Sequence, residues 1–370
     1  MDKKLKIGIT HGDINGINYE LIIKVFSDNR ITELFTPVIY GSAKALTYYK
    51  NLVADCGNFS YHMVESAEAA QPRRVNIVNC IDEENPKIEV GVSTVVAGHY
   101  AVSSLNKAMR DLESGAIDAV VTCPINKSNV QSDQFDFVGH TEFFASNFGG
   151  KTPLMFMISE HLKVGLVSIH EPLVKVPSRI TAETVLEKLR LMKQSLIRDF
   201  AIREPKIAVL GINPHAGDCG LLGKEEQEII IPAINSAKYE GIFAFGPFAA
   251  DGFFGCGAYK KYDATLAMYH DQGLIPFKLL CELNGVNYTA GLSVVRTSPA
   301  HGVGYDIAGK DIADPSSLRE AIYAAIDIVR NRDINTEITA NPLTTFSRDS
   351  WGGNDAYVRD IKVPGAPESY

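Results

Sequence analysis

The sequence predicts an α/β fold with a mostly parallel sheet. Three observations carry this. Strand-like and helix-like segments alternate along most of the chain. The run 116–122 is almost continuously apolar, as strands covered on both faces are. One closely spaced pair of runs, 154–158 and 164–169, reads as a hairpin, which adds mixed strands and suggests a second domain.

In chain order, 5–10 is a strand ending in His11-Gly12-Asp13, and 19–26 a helix. Residues 36–40 form a strand, 43–51 a helix and 75–80 a strand. Val102, Leu105, Met109 and Leu112 share one face of a helix over 98–112, which Gly115 stops. Past the hairpin, Val185, Leu189, Met192 and Leu196 mark a long helix over 182–200. A strand at 207–212 empties into Asn213-Pro214-His215-Ala216-Gly217-Asp218, and a helix follows at 225–238. The strand 264–269 breaks into a flexible polar turn, His270-Asp271-Gln272-Gly273, with Lys278 shortly after. A strand over 287–295 is closed by Arg296-Thr297-Ser298. Asp314-Pro315 opens a helix that runs to about Arg330, and 347–370 is an irregular tail.

With 370 residues, 45% of them hydrophobic, the chain can bury more than one core. Its formal net charge of −8, with both signs interspersed, argues against nucleic acid and anionic membrane as partners. No apolar run is long enough to span a bilayer, and residues 1–6 are not a signal peptide. Six scattered cysteines without a C-x-x-C pair fit reduced thiols, so a cytoplasmic location is expected.

Three histidines share one placement. His170, His215 and His270 each follow an apolar strand and sit beside a polar or Gly/Pro-rich turn. A lone histidine of this kind is ordinarily a packed or solvated side chain. Three neutral imidazoles meeting at one sheet edge would hold a divalent metal and leave positions open for substrate. Gly139-His140-Thr141-Glu142 precedes an aromatic-rich helix, and serves equally as an N-cap or as an anion site. Lys278, Asn287 and Arg296 offer two cations and an amide, with Arg296 suited to clamp an anion. No dinucleotide fingerprint, P-loop or nucleophile elbow occurs.

These motifs together resemble one family. Thr122-Cys123-Pro124-Ile125-Asn126-Lys127, Gly139-His140-Thr141-Glu142, Asn213-Pro214-His215-Ala216-Gly217, Ala267-Met268-Tyr269-His270-Asp271-Gln272-Gly273 and Arg296-Thr297-Ser298 with His301-Gly302 fall in the order seen in the 4-hydroxythreonine-4-phosphate dehydrogenases of pyridoxal phosphate biosynthesis. The resemblance covers about residues 5–330. It implies a fold like that of isocitrate and isopropylmalate dehydrogenases, two α/β domains with a cleft between them. The expected division is 1–127 with 300–346 as an outer domain, 128–299 as a central domain carrying the metal site and dimer interface, and 347–370 as the tail. It implies a homodimer with its active site at the subunit interface.

The implied chemistry is metal-dependent oxidation of the C3 hydroxyl of 4-phosphohydroxy-L-threonine by NAD or NADP, then decarboxylation to 3-amino-2-oxopropyl phosphate. The implied metal is zinc, magnesium or cobalt, held by His170, His215 and His270. His140, Thr141, Lys278, Asn287 and Arg296 would bind substrate, Asp251 would lie at the cofactor, and Asp271 or Lys278 would be the general base. The chain departs from the family pattern in its first loop, where Ile14 and Tyr19 stand in place of two prolines. Two other readings remain open: a paralogue oxidising 4-phospho-D-erythronate or 4-phospho-D-threonate, and a non-catalytic metal- or phosphate-binding protein.

Overall fold

The structure is a computed structural model and describes residues 4–131, 137, 139–149 and 153–341. The expected tail at 347–370, and residues 342–346 of the expected outer domain, lie outside the described residues. Met1–Arg332 forms one compact unit and Asp333–Tyr370 a second, of which the described part ends at residue 341.

Twelve strands run in chain order as β1 Lys6–Thr10, β2 Thr36–Gly41, β3 Tyr61–Val64, β4 Val75–Asn79, β5 Ala119–Thr122, β6 Leu154–Ile158, β7 Lys163–Leu166, β8 Lys206–Leu210, β9 Phe243–Phe248, β10 Ala264–Ala267, β11 Val286–Ala290 and β12 Arg296–Pro299. They form a single sheet in the order β3-β4-β2-β1-β5-β12-β11-β6-β7-β10-β8-β9. From β3 to β12 every pairing is parallel. Strand β11 is antiparallel to both neighbours, and β6 is antiparallel to β7. From β7 to β9 the pairings are parallel again. The two parallel blocks therefore run in opposite directions, and the expected hairpin lies at their junction.

Helices cover both faces, which explains the near-continuous apolar strands. On one face the helices Asn18–Phe26, Ala43–Lys50, Ala182–Arg198 and Ser316–Thr339 share a core with Ile7, Ile9, Ile39, Val121 and Phe156. On the other, the helices Val95–Glu113 and His140–Asn147 cover Val38, Tyr40, Val78 and Val120. The helix His270–Cys281 covers Met155, Met157, Val164 and Leu166 on that same face. Its core thus falls into two patches, and the gap between them is where a cavity forms.

Four local expectations need correction. His270-Asp271-Gln272-Gly273 is the first turn of the helix His270–Cys281 rather than a flexible turn. Gly273 lets that helix lie on the sheet: a Cβ there would sit 2.8 Å from Val164 and 2.9 Å from Leu166. Arg296 opens β12 instead of closing the preceding strand, because Gly291 (φ 90°) turns the chain back after β11. The last helix spans Ser316–Thr339, well past Arg330. Its continuation is polar at first: Asn331 donates to the Asp199 carbonyl and Arg332 to the Asp199 carboxylate, contacts that apolar periodicity does not register. Strands β3 and β9 were not anticipated; both are edges, and β9 contains Gly246 and Pro247.

Candidate active site

The cavity occupies about 270 Å³. Its floor is strand: Met155 and Met157 of β6, Asn287 of β11, and Arg296 and Ser298 of β12. Its walls are Pro124–Lys127 beyond β5, the N-terminal turn of His140–Asn147, and the helix carrying His270 and Lys278. His140, Thr141, His170, His270, Lys278, Asn287 and Arg296, all selected from the sequence, line this one space. It lies over the face of the sheet rather than outside its carboxyl edge, because β6, β11 and β12 alternate in direction beneath it.

Arg296 sets the character of the site. It is 2% exposed, and its guanidinium donates to Thr122 Oγ1 through Nε (2.9 Å) and Nη2 (2.6 Å) and to Thr289 Oγ1 through Nη1 (3.1 Å). Both acceptors are neutral hydroxyls, so these hydrogen bonds solvate the charge without balancing it. Burial pulls its pKa down from the usual arginine value to about 9, with Glu142 opposing, and it stays cationic at neutral pH. A buried cation whose guanidinium is hydrogen-bonded only to neutral groups is costly, a cost that a bound anion offsets.

Other groups at the cavity are also incomplete. Among the described residues, His140 Nε2, Glu142 Oε2, Asn287 Oδ1 and His301 Nε2 are buried atoms without hydrogen-bond partners, and all four residues line the cavity. Burial, reinforced by the positive charges of Arg296 and Lys127, holds the His140 pKa well below the ordinary value, so its ring is neutral. Burial likewise lowers His301. Contact with His170 keeps the Glu142 carboxyl low, hence ionised. Such orphaned polar atoms are costly unless a ligand completes them.

His170, His270 and His215 follow β7, β10 and β8, three adjacent and mutually parallel strands. The His170 and His270 rings lie 6.0 Å apart, centroid to centroid. His270 Nδ1 is 2.8 Å from Asp271 Oδ1, and His170 Nδ1 is 3.9 Å from Glu142 Oε1. The carboxylate hydrogen-bonded at His270 Nδ1 directs Nε2 away from it, the arrangement that orients metal-ligating histidines, and the Glu142 carboxylate faces His170 Nδ1 at longer range. This donor set fits a divalent cation. His215 is exposed, one strand beyond His270, and does not line the cavity. Among the described residues no three His, Cys, Asp or Glu side chains close around one point. Asp271 is 72% exposed and faces His270 from outside the cavity. Asp251 lies exposed in the first turn of Ala250–Gly255, away from the cavity wall.

Lys127, Glu142, Ser298 and His301 were not singled out as site residues. All four were visible within the quoted motifs, but nothing in their spacing showed that they share one cavity with His140 and Lys278.

The chain is similar to proteins of one known family. The family model for "Pyridoxal phosphate biosynthetic protein PdxA" matches residues 33–325. A 4-hydroxythreonine-4-phosphate dehydrogenase of Bacteroides thetaiotaomicron is 50% identical over 343 residues, covering 92% of this chain and 93% of its own. One from Aquifex aeolicus is 43% identical over 324 residues, covering 88% and 98%. The crystal structure of the Klebsiella pneumoniae 4-hydroxythreonine-4-phosphate dehydrogenase superimposes with a TM-score of 0.78 at 31% identity, over 88% of this chain and 98% of that one. The class so defined is an α/β oxidoreductase, a dehydrogenase. More particularly, the chain belongs to the 4-hydroxythreonine-4-phosphate dehydrogenase (PdxA) family, whose role is in pyridoxal phosphate biosynthesis.

Proposed function

We propose that the chain oxidises the C3 hydroxyl of 4-phosphohydroxy-L-threonine with NAD or NADP and that the product decarboxylates to 3-amino-2-oxopropyl phosphate. The observation that carries this reading is the cavity that gathers His140, Thr141, Lys278, Asn287 and Arg296 beside His170 and His270. The substrate has two anionic ends, a phosphate and a carboxylate. Arg296, Lys278, Lys127 and the helix start at His140-Thr141 supply complementary donors at that cavity. Neutral His140 can donate or accept without adding charge.

His170, His270 and His215 are the proposed ligands of a zinc, magnesium or cobalt ion. Such an ion, when bound, lowers the pKa of a coordinated hydroxyl and polarises a neighbouring carbonyl. Asp251 is the residue proposed to face the nicotinamide cofactor, which would supply the hydride acceptor. Glu142 and Asp271 orient the two imidazoles. Lys278, on the wall, is the proposed proton acceptor for the C3 hydroxyl, with Asp271 as the alternative.

The division into an outer part (1–127 with 300–346) and a central part (128–299) is retained as a proposal; residues of both line the cavity. A homodimer with the site at its interface is proposed as well. The helix that carries His270 and Lys278 exposes Ile275 (58%) and Leu279 (76%), apolar area that a second copy would cover. No described helix is long and apolar enough to cross a membrane, and a cytoplasmic site of action is proposed.

Formation of reduced nicotinamide tests the reading. Turnover with 4-phosphohydroxy-L-threonine, abolished by a chelator, is expected. Turnover only with 4-phospho-D-erythronate or 4-phospho-D-threonate would assign the paralogous activity, and none with any of them, despite bound metal, a binding role.

A further inference from the structure

The loop that carries His215 is held in a costly shape. His215 (φ 54°), Ala216 (51°), Gly217 (80°), Asp218 (42°) and Cys219 (55°) are all left-handed. Four of the eight described non-glycine residues with positive φ fall in these five positions. For L-residues this conformation costs roughly 1–2 kcal/mol each, and it persists only where the surroundings over-determine it.

Two side chains do so. Glu226, 2% exposed, accepts through Oε1 from the backbone N–H groups of Ile212 and Asn213, both at 2.8 Å. Its Oε2 accepts from Asn213 Nδ2 at 3.0 Å. The loop packs so closely on this carboxylate that a Cβ at Gly217 would lie 2.5 Å from Oε2. Gln272 comes from the other side. Its Oε1 accepts from the Met268 N–H (2.7 Å), and its Nε2 donates to the Gly211 carbonyl (2.6 Å). One amide therefore ties the strand end before His270 to the strand end before His215. Neither side chain lines the cavity.

We infer that Glu226 and Gln272 are positioning residues that fix the backbone of the His215 loop against the strand end before His270, so that the His215 imidazole is presented to a divalent cation. The inference rests on the reading of His215 as a ligand. A loop that merely joined β8 to the next helix would gain nothing from four strained residues. A loop that must present a ligand at a set place would.

Cobalt(II) is the probe, titrated into the full metal-free chain, with affinity measured against a competing chelator and geometry by the visible absorption bands. His215→Ala is the reference for a lost ligand, and Asp199→Asn, bonded to Ser195, Tyr288 and Arg332 and outside the cavity, the reference for lost stability alone. Glu226→Gln and Gln272→Leu are expected to lower cobalt affinity about 10–100-fold, as loss of groups that orient ligands does, and to alter the absorption bands, whereas Asp199→Asn changes neither. Gln272→Glu, which keeps the acceptor and loses the donor, is the milder variant should Gln272→Leu not fold. Wild-type cobalt affinity and bands in the Glu226 and Gln272 variants, with His215→Ala weakened, would overturn the inference alone. Unchanged binding in His215→Ala would remove the ligand assignment and the inference with it.

Discussion

Arg296 places its Nε and Nη2 on one oxygen, Thr122 Oγ1, at 2.9 and 2.6 Å. Residue 122 ends β5 and residue 296 begins β12, two paired parallel strands, so the sheet itself sets this contact. The hydroxyl orients the guanidinium without neutralising it.

Arg296→Met should therefore separate function from stability. Loss of a charge-assisted hydrogen bond of about 1.5–3 kcal/mol predicts a fall in kcat/KM of roughly 10–150-fold. Replacing a buried charge by an apolar side chain of similar size is often neutral or stabilising, so the melting temperature should hold or rise. Steady-state kinetics and thermal denaturation check the two halves.

The carboxylates behind the imidazoles give a second prediction. Asp271→Asn leaves His270 in place but removes the charge 2.8 Å from its Nδ1. Metal affinity should drop about tenfold or more, as read by chelator competition, with substrate affinity in the metal-free protein unchanged.

The pH dependence of folding has a definite sign. His11 is fully buried, and burial lowers its pKa from 6.5 to about 4, against a raising hydrogen bond with the Tyr100 carbonyl. As the pH falls through 6.5 the unfolded chain takes up a proton that the folded chain refuses until about pH 4, so stability is lost across that window. At about 1.36 kcal/mol per pH unit the loss from His11 approaches about 3 kcal/mol. His140 and His301, also lowered, act in the same direction. Urea unfolding of His11→Asn should show a flatter profile than the wild type between these pH values.

How far the sequence disclosed this site can be judged residue by residue. His140, Thr141, Lys278, Asn287 and Arg296 were legible because their types and ordered motifs point to anion chemistry, and the folded chain brings all five to one cavity. That the cavity lies over the sheet face was not legible, because the reversal at β11 depends on a turn at Gly291 within what reads as one continuous strand. The helical start at His270 was hidden by Gly273 and Pro276, which count against helix on propensity and are tolerated here by close packing on β7 and β10. The orienting roles of Gln272 and Glu226 involve partners far along the chain and have no local signature.

A buried network beside the sheet allows a stability prediction independent of chemistry. The Asp199 carboxylate accepts from Arg198 and Arg332 and from the hydroxyls of Ser195 and Tyr288. Asp199→Ala leaves buried donors and cationic charge uncompensated and should cost about 3–5 kcal/mol, measured by urea unfolding.

The account rests on His170 and His270 sharing a cation at the cavity. Anomalous diffraction from crystals grown with zinc tests it most directly. The prediction is a peak about 2.0–2.1 Å from Nε2 of both rings, with His215, from the same or a second copy, completing the set. A fully occupied zinc peak elsewhere, with these two nitrogens bare, would contradict it.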